Sequence, residues 1–184
     1  MEDILQNFLA WAWERHHNPL SWYIRPLFSL PFCYFAYKRS VSGMVLTLIG
    51  LATSMFWFPK PAQVDPQAVA FLEMERQYLT GHWTLLKILI ATPVPLMFIL
   101  LGWAFWNRSW IVGVTVINLA AITKCAWSFY YGGETAWSLI PVAIINLLIC
   151  NLVLFYAYRR IHKPKNKAYF KGDISNKSLD ASRN

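Results

Sequence analysis

Long apolar runs separated by short polar turns dominate the chain. No charged residue occurs over residues 41–58, 88–106 or 135–158, and Lys124 is the single charge within 110–131. In lipid such a run must satisfy its backbone hydrogen bonds internally, so it folds as a helix, and about 20 apolar residues cross the hydrocarbon core. The pattern predicts five transmembrane helices, over residues 20–37, 41–58, 86–106, 110–131 and 136–158.

The remaining segments predict helices at the membrane surface and a tail. Apolar residues recur at roughly helical spacing over residues 1–19, which is typical of an amphipathic interfacial helix with Trp at headgroup depth. In the long connection 59–85, Pro66 suits a first helical turn and Gly81 suits a helix end, so a second interfacial helix is expected over residues 66–80. The polar, basic residues 159–184 are expected to be disordered. For the segment 20–37, which contains Arg25, the alternative is an interfacial or re-entrant course.

Short turns between the predicted spans force neighbouring helices to run antiparallel. The fold class predicted is therefore all-α, a polytopic integral membrane helix bundle with two short interfacial helices. Composition agrees, since 57% of residues are hydrophobic, 14% are charged and the mean hydropathy is +0.34, whereas soluble domains carry roughly 25% charged residues. Ten Trp make the chain tryptophan-rich. No motif is specific enough to assign a family.

The distribution of charge predicts the orientation. Five spans place eleven Lys and Arg residues on one side (Lys38, Arg39, Arg108 and eight from Arg159 onward) and five on the other, while seven of the nine acids lie on the second side. Because cytoplasmic segments hold the excess of Lys and Arg, we expect a cytoplasmic C-terminus and an external N-terminus. A bacterial inner membrane is the expected location.

The net charge of +8 comes mostly from the tail, because residues 159–184 carry eight bases and two acids. A basic tail beside a membrane is typical of a topology anchor on anionic lipid. No nucleic-acid-binding motif accompanies this charge, so nucleic acid is not an expected partner.

Ionisable groups inside a membrane are costly and point to function. Arg25 and Lys124 lie in the outer parts of their predicted helices, where Pro26, Pro93, Pro95 and Pro141 also occur. Proline frees backbone carbonyls and kinks helices. Together these residues predict an outward-facing vestibule that binds or passes a small amphipathic or anionic molecule. Further candidate ligand contacts are Glu134, a possible partner of Lys124, and the intramembrane Asn118 and Asn146, for which interhelical packing is the alternative.

The outer connection contains the single acid–base set, Glu73, Glu75 and His82. One alternative is therefore a membrane-bound enzyme that uses these three residues. Zinc binding by these groups with His16 and His17 is disfavoured, because the chain lacks an HExxH motif and an i,i+4 histidine pair. No cofactor is indicated, and the three Cys form no CxxC motif. The sequence favours a binding protein over an enzyme.

Small residues recur along one face of the second predicted span, at Gly43, Thr47, Gly50 and Ser54. Such a stripe lets helices approach closely. The second alternative is therefore a non-catalytic accessory subunit, whose stripe contacts another membrane protein or a second copy of the chain.

Overall fold

The computed structural model describes residues 2–63 and 65–163, and all regular structure within them is helical. This confirms the all-α prediction. The α-helices are α1 (Glu2–His16), α2 (Pro19–Leu27), α3 (Ser29–Tyr37), α4 (Val41–Thr53), α5 (Pro66–Thr80), α6 (Leu85–Ala91), α7 (Pro93–Trp106), α8 (Trp110–Gly132) and α9 (Ile140–Ile161). Two 3-10 helices, Ser54–Phe56 and Gly133–Leu139, follow α4 and α8.

The chain divides into two compact units, one up to Leu154 and one from Phe155 on. In the second unit the Arg159 guanidinium lies 5.0 Å from the centre of the Phe155 ring. Helix α9 continues to Ile161, so residues 159–161 are helical where the sequence predicted a disordered tail. The rest of that predicted tail, from residue 164 on, lies outside the described residues. All contacts below belong to the first unit.

Three helical segments are long and apolar enough to cross a membrane: Leu85–Trp106, Trp110–Trp137 and Ile140–Ile161. They correspond to the predicted spans 86–106, 110–131 and 136–158. The predicted span 20–37 is instead broken at Phe28 into α2 and α3, of nine residues each. The predicted span 41–58 is the 13-residue α4 followed by one 3-10 turn. Both are shorter than the usual span, so the count of five is not confirmed.

Prolines explain the interruptions of the helices. Pro31 has no N–H to donate to the carbonyl of Leu27, and the helix breaks at the following residue, Phe28. Pro95 likewise leaves the carbonyl of Ala91 without its helical donor, and α6 ends there. Thr92 separates α6 from α7, which begins with Pro93 at its first helical position.

Two helical hairpins, α3–α4 and α7–α8, share a construction at their turns. Arg39 and Arg108 adopt left-handed backbone conformations, with φ of 56° and 58°. Ser40 N then donates to the carbonyl of Phe35, and Ser109 N to that of Ala104, which satisfies carbonyls at the helix end. The Tyr37 and Trp110 rings lie 5.7 Å apart, so both turns lie at the same end of the bundle.

The core of the bundle lies between these hairpins and α9. Gly113 of α8 packs directly against the Phe105 ring of α7, and Gly43 of α4 against the Phe35 ring of α3. A side chain at either glycine would meet the ring, so the close approach of the helices requires glycine. The buried cluster comprises Phe32, Cys33, Ala36, Leu101, Phe105, Ile117, Cys150 and Leu154.

Candidate functional site

An open cleft of about 810 Å³ lies between α5, the α6–α7 segment and α8. Its walls are mostly apolar and include Pro93 and Pro95, where the helix is interrupted. One end reaches Leu100 and Val116 in the middle of the hairpin, and the other carries Glu75 and Lys124. The volume is in the range of small-molecule sites. The cleft is therefore apolar along most of its length and charged at one end.

The charged end is an ion pair between two helices. Lys124 Nζ of α8 lies 3.1 Å from Glu75 Oε1 of α5. The same ammonium lies 4.3 Å from the centre of the Trp127 ring, a cation–π contact. The sequence offered Glu134 as the partner of Lys124. The structure pairs Lys124 with Glu75, and Glu134 is exposed in the 3-10 helix Gly133–Leu139, with no ion pair among the described residues.

A largely buried polar group on α1 and α2 lies within electrostatic range of Glu75. Arg25 donates from one terminal nitrogen to His16 Nε2 at 3.3 Å. Ser21 Oγ lies 3.4 Å from the other ring nitrogen of His16 and donates to the Asn18 carbonyl at 2.8 Å. The charge of Glu75 acts on both Arg25 and His16. One carboxylate thus faces two cations, Arg25 and Lys124, which leaves this region with a net positive charge.

His16 is held in its neutral form. The guanidinium of Arg25 can only donate, so Nε2 of His16 must accept and carries no proton. His16 is 4% exposed. Burial, and next the charge of Arg25, lower the pKa of His16 from 6.5 to about 4. From the sequence, His16 was only a disfavoured zinc ligand, and no pattern in the chain indicates its contact with Arg25.

Several buried polar atoms have no partner among the described residues. They are Nε of Arg25, Oγ of Ser128 and both amide atoms of Asn146. Asn146 and Ser128 are each 2% exposed. An unsatisfied buried polar group costs about 1–3 kcal/mol, so these atoms are places where a polar group of a ligand, or water, would be stabilised. Asn146 does not line the cleft, so its role as a ligand contact stays a prediction.

Asn118 has a structural role. Its amide nitrogen donates to Asn151 Oδ1 at 3.0 Å, and Asn151 donates back to Asn118 Oδ1 at 3.3 Å. Each amide also donates to a backbone carbonyl one turn earlier in its own helix. This reciprocal pair joins α8 to α9 and fixes their register. The structure thus supports the packing alternative for Asn118, and Asn151 is a partner that the sequence analysis did not identify.

The three residues of the enzyme alternative do not converge. Glu75 contacts Lys124, whereas Glu73 lies 3.8 Å from Arg76 and accepts from Gln77. His82 is exposed in the loop after α5. Among the residues that the structure describes, no three His, Cys, Asp or Glu side chains group together as a metal site requires.

The small-residue stripe on α4 is covered within the chain. Gly43 contacts the Phe35 ring and Gly50 the Phe28 ring. Thr47 donates to the Gly43 carbonyl, and Ser54 to the Leu51 carbonyl. A partner docked on this face would first have to displace the two aromatic rings, so the stripe serves α3–α4 packing in this structure.

Comparison with known proteins adds no relative: no family model, no curated protein and no solved structure matches the chain. The assignment of function therefore depends on the geometry of the cleft and its charged end.

Proposed function

We propose that this chain is a multi-pass membrane protein that binds an amphipathic anion in the cleft between α5, α6–α7 and α8. The observation that carries the proposal is the polarity of the cleft. Apolar side chains line most of its length, and the Glu75–Lys124 pair stands at one end. An amphipathic molecule has the same division between an apolar body and a charged head.

The charge balance favours an anionic head. Arg25 and Lys124 share the single carboxylate of Glu75, and the Lys124 side chain, which is 52% exposed, is accessible to a second anionic partner. An anion that binds beside Lys124 compensates the net positive charge. Arg25 is not among the residues that line the cleft, so in this proposal it stabilises a bound anion through its field, and Lys124 supplies the direct contact.

Placement in a membrane follows from the sequence and from the apolar helices. We propose that α2–α3 and α4 cross as the first two spans, followed by α6–α7, α8 and α9. The excess of Lys and Arg in the hairpin turns and after residue 158 supports a cytoplasmic C-terminus and a cleft on the outer side. The membrane proposed is the bacterial inner membrane. In this arrangement the ligand enters from the outer leaflet or from the external medium.

The test uses brominated amphiphiles, because bromine quenches the fluorescence of tryptophans that it touches, and Trp83 and Trp127 line the cleft. Dibromostearate, an anion, and its uncharged methyl ester are titrated into the protein in a non-ionic detergent. We expect tighter binding of the acid. Charge-assisted contacts contribute about 1.5–3 kcal/mol, so Lys124→Gln should weaken binding of the acid about tenfold or more and bring it close to that of the ester.

Lys60→Gln is the matched control. Lys60 also forms an exposed ion pair, 3.2 Å from Glu14, but it does not line the cleft. Lys60→Gln also removes one ion pair, but it should leave the affinity for dibromostearate unchanged. Equal affinities for the acid and the ester in the native protein, or equal effects of the two Lys→Gln variants, would reject the proposal.

A further inference from the structure

We infer that the apolar part of the ligand is a flat ring system rather than a straight acyl chain, an inference that rests on the function proposed above. The inference comes from comparing the hairpins α3–α4 and α7–α8 at equal distances from their turns. The left-handed arginines Arg39 and Arg108 mark the same point in the two turns, so residues can be compared by their distance along the chain from these positions.

In the first hairpin an aromatic ring of the chain fills the space between the helices. Phe28 lies 11 residues before Arg39 and Gly50 lies 11 residues after it, which is roughly 16 Å along a helix. A Cβ at Gly50 would be 2.8 Å from Cε1 of Phe28. The Phe28 ring also meets Trp57 edge-on, with centroids 5.6 Å apart. The ring is therefore held between a glycine and a tryptophan.

In the second hairpin, the residues at the same distance from the turn line the cleft. Met97 lies 11 residues before Arg108 and Leu119 lies 11 residues after it, and both line the cleft together with Ala120. Trp127, at nearly the distance from its turn that Trp57 has, lines it as well. No aromatic side chain of α7 is among the lining residues. The position that corresponds to Gly50 is Leu119, but Ala120 and Trp127 lie 12 and 19 residues after Arg108, each one residue further from the turn than Gly50 and Trp57. The second hairpin thus has a small residue and a tryptophan at nearly the same distance from its turn, and no ring of α7 lines the space between them.

The other walls of the cleft suit a ring. Tyr78 meets Trp127 nearly perpendicular, with centroids 5.3 Å apart, and Trp83 lines the same end. Aromatic groups favour edge-on and offset contacts of this kind. A rigid ring system also loses less conformational freedom on binding than a flexible chain. The ligand class is therefore a ring-bearing anion whose acidic group lies at Lys124.

The experiment compares two anions that carry the same carboxylate, 1-pyrenebutyrate with a flat ring system and dodecanoate with a straight chain. Energy transfer from tryptophan reports pyrenebutyrate, and its displacement reports dodecanoate. We expect the native protein to bind pyrenebutyrate at least tenfold more tightly. The double variant Met97→Phe, Ala120→Gly brings a ring and a glycine into the cleft at nearly the distances from the turn that Phe28 and Gly50 have, and it should lose at least tenfold in affinity for pyrenebutyrate. Ile99→Phe, an exposed position outside the cleft, is the matched control and should bind normally.

The outcomes separate the two proposals. Dodecanoate binding as tightly as pyrenebutyrate, with both weakened by Lys124→Gln, would overturn the ring inference and leave the anion site standing. Binding of both anions unaffected by Lys124→Gln, or binding of neither, would overturn the proposed function and the inference together. The comparison of the two anions on the native protein decides the matter even if the double variant does not fold.

Discussion

Protonation of His16 should destabilise the protein as the pH falls. The pKa of His16 is lowered from 6.5 to about 4 by burial and by Arg25. Because the folded pKa lies below the unfolded one, the stabilisation is fully present above pH 6.5 and is lost as the pH falls from there through 4. At 1.36 kcal/mol per pKa unit the full effect is about 3 kcal/mol, of which about 2.5 kcal/mol is lost by pH 4.5.

The physical reason lies in the contact between His16 and Arg25. A protonated imidazole can no longer accept at Nε2, so the Arg25 hydrogen bond of 3.3 Å is lost. Two positive charges then face each other in a buried place. His16→Gln keeps a side chain that can accept a hydrogen bond and cannot be protonated in this range, so it removes the pH-dependent part of the effect.

The assay is thermal unfolding followed by tryptophan fluorescence in a non-ionic detergent, at pH 7.5 and pH 4.5. Other groups titrate in this range too, so the quantity of interest is the difference between native protein and His16→Gln. The native protein should lose about 2–3 kcal/mol more than the variant. His82→Gln, at an exposed loop position, is the control and should behave like the native protein. An identical pH dependence of the native protein and His16→Gln would refute the reasoning.

Three further predictions concern the packing of the hairpins and of α9. Asn151→Leu should lower the unfolding free energy by about 1 kcal/mol because it removes the side-chain partner of the Asn118 amide. In a double-mutant cycle, adding Asn118→Leu should recover part of that loss. Independent, additive effects of the two substitutions would contradict the reciprocal hydrogen bonds. Gly113→Ala places a methyl group against the Phe105 ring and should lower the unfolding free energy by about 1–3 kcal/mol. Gly133 has open space where a Cβ would lie but a φ of 53°, so Gly133→Ala should act only through the backbone. Equal unfolding temperatures for Gly113→Ala and the native protein would speak against the close contact. Arg39→Gly should raise the unfolding temperature, because the left-handed conformation at this position costs residues other than glycine about 1 kcal/mol. A lower unfolding temperature of the variant would count against this account of the turn.

Sequence patterns predicted the elements whose causes are local. Runs with no charge, or with Lys124 alone, locate α7, α8 and α9, whereas the break between α2 and α3 was not predicted and the segment 20–37 was expected to be one span. Pro66 and Gly81 give the bounds of α5 closely. These features depend on the hydrogen bonding of backbone groups and on residues that are close to each other in the chain.

Features that depend on distant residues could be predicted only in part. Lys124 and Arg25 were selected because buried charge is costly, but Glu75, which lies 49 positions before Lys124, was considered only as an acid–base residue. Glu134, ten positions after Lys124, was the possible partner named from the sequence. The glycine stripe on α4 indicated close packing correctly, and the sequence could not tell that the partner is α3 of the same chain.

Photo-crosslinking tests the central claim, binding of an amphipathic anion in the cleft, most directly. A dodecanoate analogue with a diazirine on its chain is irradiated with the protein in lipid nanodiscs, and the labelled peptides are mapped by mass spectrometry. The account predicts labels concentrated in residues 93–100 and 116–127, reduced by excess 1-pyrenebutyrate and by Lys124→Gln. Labels distributed evenly over the apolar helix faces, or concentrated in the groove along α4 between Val41 and Leu48, would contradict it.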